Sequence, residues 1–80
     1  MNLGPRELFE RICIASGLAA MVGPGNVRRA LHNVGADSVE AARVEHYRRA
    51  LPELRLRMSI YLPPQEVARR LPDIEALLGA

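Results

Sequence analysis

The chain has 80 residues, 49% of them hydrophobic and 25% charged, with eleven basic side chains against nine acidic ones for a net charge of +2. That balance excludes intrinsic disorder, which needs low hydrophobicity and high net charge, and the size fits one small domain over residues 1–80. A single cysteine, Cys13, excludes a disulfide scaffold, and no apolar run reaches the roughly 18 residues of a membrane span.

A chain this short hides only about 60% of the surface its unfolded form exposes. Phe9, Tyr47 and Tyr61 are its only aromatic residues and there is no Trp, so aliphatic packing must hold it together. Period-two alternation is nowhere sustained, whereas apolar spacings of three and four recur throughout. The pattern predicts an all-α bundle of four to five short helices.

The first helix is expected from near Pro5, a good first-turn residue, to just before Gly23-Pro24-Gly25. Its first half is amphipathic, with Leu8, Phe9 and Ile12 set against Arg6, Glu7, Glu10 and Arg11. Its second half, Ile12–Val22, is apolar nearly all round, and such a helix must be covered on every side. That stretch has the look of a signal-peptide core, but the residues before it carry equal numbers of Arg and Glu, not the positive charge of a leader. A lone thiol without an export signal points to a reducing cytoplasm.

A short second helix follows, with Asn26 as its cap, Val27, Leu31 and Val34 facing inward, and Gly35 as its stop. Asp37-Ser38-Val39-Glu40 has the form of a capping box, opening a helical pattern that runs to Leu62. Along it Val44, Tyr47, Leu51, Leu54, Met58 and Leu62 form one stripe that keeps its phase across Pro52. A kinked or abutting pair of helices is therefore expected there, not a reversal. Leu56 and Ile60 lie on a second apolar face of the same segment. Pro63-Pro64 turns the chain, and Val67, Leu71, Ile74 and Leu78 mark the last helix, expected to split at Pro72.

All eleven basic residues are Arg. Four of them follow a Glu by four positions (Glu7/Arg11, Glu45/Arg49, Glu53/Arg57, Glu66/Arg70), the spacing of helix-surface pairs worth about 0.2–0.5 kcal/mol each. Arg28, Arg29 and His32, close behind Gly23-Pro24-Gly25-Asn26, have the outline of an anion or nucleic-acid patch. The outline lacks the Gly-Lys-Ser/Thr of a phosphate loop, and a plain turn is the simpler reading. Arg43, Arg48, Arg49, Arg55 and Arg57 could form another patch, but no stacking aromatics interleave the arginines. A helix-turn-helix over 26–51 would carry Glu40 and Glu45 into the groove.

His32, His46 and Cys13 lack metal-ligand spacing. Cys13 lies in the most apolar stretch, where burial leaves a thiol inert, and Ser16, Ser38 and Ser59 sit in no nucleophile elbow. Neither a cofactor nor catalysis is expected. Small helical adaptor domains resemble the chain in size and helix count, a likeness of architecture that implies no activity.

The surplus of apolar helix surface points instead to a non-catalytic protein–protein interaction or assembly module. Its partner would be a second copy or another protein, and its interface Ile12, Ile14, Leu18, Met21 and Val22 with Leu56 and Ile60. The alternative is a small Arg-rich DNA-binding or nucleoid-associated protein using Arg28, Arg29 and His32.

Overall fold

A computed structural model of the protein describes residues 3–79 and forms four helices: α1 (Pro5–Ala15), α2 (Gly23–His32), α3 (Val44–Tyr61) and α4 (Pro64–Leu77). The described residues carry no strand. α1 packs on α2 and α4, α3 packs on the same two, and α1 and α3 stand diagonally with no close backbone approach. Ile12, Met58 and Ile74, all fully buried, fill the space enclosed by this ring together with Val27, Leu31 and Leu54.

The apolar run Ile12–Val22 is not one helix. α1 ends at Ala15, where the Ser16 hydroxyl donates to the Cys13 carbonyl (2.6 Å) and Gly17 turns left-handed at φ +74°. The turn solves the problem posed by an all-round apolar helix: it sends Leu18 back into the core while Met21 is left 96% exposed. α2 then starts at Gly23, earlier than expected, because Pro24 falls in the first turn, where its missing N–H has no intrahelical role. Asn26 is therefore inside the helix. Its amide donates to the Val22 carbonyl at 2.8 Å and its carbonyl accepts from Arg57 at 3.0 Å.

α2 stops at the expected glycine. Gly35, at φ +100°, donates its N–H to the His32 carbonyl and Ala36 donates to Leu31 (both 3.0 Å), a Schellman closure. The capping box expected at Asp37 does not start a helix. Ser38 Oγ accepts from the Ala41 N–H at 3.1 Å, one turn forms, and Arg43 swings extended before Val44. α3 is held at its start by His46, whose Nδ1 accepts from the Arg43 N–H at 2.9 Å.

α3 runs unbroken past Pro52 with its stripe in phase, and α4 runs unbroken past Pro72, where a split was expected. Both prolines lie on exposed faces, and the carbonyls that lose their usual helix donor belong to the exposed residues Arg48 and Ala68, so neither loss falls in the core. Of the four Glu/Arg pairs, Glu7/Arg11 (3.9 Å), Glu53/Arg57 (2.8 Å) and Glu66/Arg70 (2.9 Å) close, while Glu45/Arg49 does not.

Candidate interaction surfaces

The seven side chains expected at an interface separate into two groups. Ile12, 0% exposed, and Leu18, 8% exposed, are intramolecular core, and Val22 is half-buried. The Ser16-Gly17 turn withdraws them from any contact a folded monomer can make. Ile14, Met21, Leu56 and Ile60 stay outside, joined by the half-exposed Tyr61 at the end of α3.

The exposed four do not form one surface. Leu56 and Ile60 are one turn apart on α3, and Ile14 is on the diagonal helix α1. Ile14 borders a groove of about 370 Å³ between α1 and the start of α2, walled by Phe9, Cys13, Leu18, Ala20 and Pro24 with Glu10 as its one charged residue. Cys13 is half-buried in this wall. Burial pushes its thiol up to about 11, so it stays protonated at neutral pH.

On the other flank of α2 lies a larger cleft, about 720 Å³, between the start of α1, the second half of α2 and residues 36–40. It brings together Arg28, Arg29 and His32, the three residues of the expected anion patch. It adds three charged residues that helix spacing does not group with them: Arg6 from α1, and Asp37 and Glu40 from the segment after α2. A bond from the Glu40 amide, and then the Arg6 guanidinium that donates to Glu40 across the cleft, hold the Glu40 carboxyl below the usual carboxylate range. The cleft floor is apolar, formed by the buried Leu31, Ala36 and Val39.

Arg28 joins the two concavities. Its guanidinium lies 5.3 Å from the centroid of the Phe9 ring, so the cleft and the groove meet at a stacked pair. Phe9 is 4% exposed and therefore a fixed platform. Neither Arg28 nor Arg29 has a carboxylate partner among the described residues. Arg29 and His32 also occupy the last turn of α2, where cations favour the helix dipole.

The second arginine patch expected along α3 is depleted. Arg57 is engaged by Glu53 and Asn26, and Arg48 donates to the Leu78 carbonyl at 2.7 Å. Among the described residues no three His, Cys, Asp or Glu side chains gather at metal-binding range, and no helix is long and apolar enough to cross a membrane. No known protein family, no curated protein and no solved structure matches the chain.

Proposed function

We propose that the protein is a non-catalytic interaction module with two separate docking faces: the outward side of α3, which pairs with a second copy, and the α1–α2 side, which receives another partner. One observation carries the reading. Large apolar side chains remain exposed after folding on two separate parts of the ring: Ile14 on α1 with Met21 in the α1–α2 turn, and Leu56 and Ile60 on the diagonal helix α3. Contiguous exposed apolar patches mark association sites, and Leu56 and Ile60, one turn apart, are adjacent on α3.

A standard interface takes about 800 Å² from each partner, roughly a sixth of this chain's 5055 Å² surface. Leu56 and Ile60 supply only its centre. The rim falls to exposed neighbours on the same helix, Arg49 and Arg55 among them, neither of which has a carboxylate partner among the described residues. Rim charges of this kind select the partner and make association salt-dependent.

Light scattering across a concentration series tests the pairing. The parent chain should show a dimer that Leu56→Asp or Ile60→Asp dissociates without loss of helical circular dichroism; a parent monomeric at every concentration overturns it. The Arg-rich DNA-binding alternative draws on Arg6, Arg28, Arg29 and His32 in the cleft. Asp37 and Glu40 in the same walls weigh against it, as does the engagement of Arg48 and Arg57.

A further inference from the structure

We infer that the cleft beside the Phe9–Arg28 stack binds the carboxylates of an acidic peptide segment whose apolar residue lodges in the adjoining groove. This rests on the interaction reading above and names the chemistry of the partner on its α1–α2 side.

Charge and preorganisation both favour a carboxylate. Arg28 and Arg29 are adjacent, line the cleft, and have no carboxylate partner among the described residues. The Arg28 guanidinium carbon lies over the buried Phe9 ring at 5.3 Å, which restrains the group at the edge of the cleft, so that it can fork onto an incoming carboxylate with less ordering left to do. The cleft already accommodates such a contact in the Arg6–Glu40 pair. At about 720 Å³ its volume lies within the about 300–1,000 Å³ of ligand sites. Leu31 and Val39 in the floor offer aliphatic contact to the methylene stem of a glutamate.

The peptide's second requirement comes from the groove. It is largely apolar, shares the Phe9–Arg28 boundary with the cleft, and has Ile14 at its edge. A segment crossing α2 can therefore set an aliphatic side chain on one flank and a carboxylate on the other. Nucleic acid fits less well, because a continuous row of phosphates cannot avoid Asp37 and Glu40, whereas spaced carboxylates on a peptide can.

The probe is an acetylated, amidated peptide of glutamates around one central leucine, titrated into the isotope-labelled full chain, with its Gln-for-Glu counterpart and a DNA duplex as comparisons. The glutamate peptide should shift the amides of Arg28, Arg29, His32 and residues 37–40, slow alkylation of Cys13, and bind at least about tenfold more tightly than the glutamine peptide. The Arg28→Gln/Arg29→Gln double variant should lose that preference, and Arg28→Lys should keep part of it, since charge remains but the fork does not. The assignment is overturned by equal binding of the two peptides, by no binding of either, by an undiminished preference in the double variant, or by tighter binding of the DNA at these residues. A monomeric chain that keeps the glutamate preference defeats only the α3 pairing, and a dimer indifferent to glutamate defeats only the cleft assignment.

Discussion

Gly17 lies against the side chain of Arg70, so closely that a Cβ on the glycine would overlap the arginine's Nε, Cδ and Cζ. The contact fixes the α1–α2 turn onto α4, and Glu66 holds the guanidinium in place with a 2.9 Å bond from Nε. Gly17→Ala should therefore destabilise the chain by about 1–2 kcal/mol, mostly from the left-handed φ, since an arginine side chain can move aside. Urea unfolding of Gly17→Ala in the parent and in an Arg70→Ala background separates the two terms. A loss that disappears in the second background assigns the cost to the overlap instead of the backbone.

Ile12 and Ile14 are two residues apart in α1 and have opposite fates, 0% and 76% exposed. Ile12→Ala should cost about 2–5 kcal/mol through the cavity it leaves, a large share of the roughly 4–12 kcal/mol available to a chain of this size. Ile14→Ala should change stability by no more than about 0.5 kcal/mol. Chemical denaturation of the pair checks both, and similar losses at the two positions would contradict the placement of Ile12 in the core.

Tyr47 buries a hydroxyl with no hydrogen-bond partner among the described residues, and burial pushes its ionisation up to about 12 from 10.0, with the Cys13 thiol adding a smaller push. A raised value means that the folded state holds the proton more tightly, so the contribution is complete below pH 10 and is lost as the pH climbs from 10 towards 12. Tyr47→Phe should be as stable as the parent at neutral pH or up to about 1 kcal/mol better, and should lack this part of the alkaline decline. Unfolding curves at pH 8 and 11 (about two units below and one above the onset) read it out.

The Cys13 thiol, raised to about 11 from 9.0, carries far less thiolate than a free cysteine at neutral pH. Its alkylation should be slower than that of an unfolded control by on the order of a hundredfold. Urea should restore the ordinary rate. A native rate equal to the unfolded one would place the thiol in water.

His46 serves α3 as an acceptor, its Nδ1 taking the Arg43 N–H. His46→Ala should cost about 0.5–1 kcal/mol of stability, and His46→Gln should retain most of it, because a glutamine oxygen at the third helical position reaches the same amide. Thermal unfolding of the three proteins distinguishes a cap from a merely buried ring, for which glutamine would be no better than alanine.

Helix-scale features were legible in the sequence because they depend on local spacing. The stripe from Val44 to Leu62 crosses Pro52 intact, and Gly35 ends α2 by a closure that its neighbours alone define. The break at Ser16-Gly17 was harder to see. An unbroken apolar run favours a longer helix, and the turn is selected by the gain from returning Leu18 to the core and by Arg70, fifty-three positions away. The Asp37–Glu40 signature misled because Ser38, one residue later, takes the capping bond. For the candidate site, Arg28, Arg29 and His32 share a helix and could be grouped by spacing. Phe9, Arg6 and Glu40 reach them only through the packing of α1 on α2 and the fold-back of residues 36–40, which no periodicity encodes.

The bond from Arg48 to the Leu78 carbonyl, with Leu78 itself 3% exposed, makes the end of α4 a latch on α3. A tether pulled from beyond Gly79 would thus load the middle of the fold at once instead of peeling a loose strip, and the helix that resists it first is α3, the one that presents Leu56 and Ile60 to a second copy.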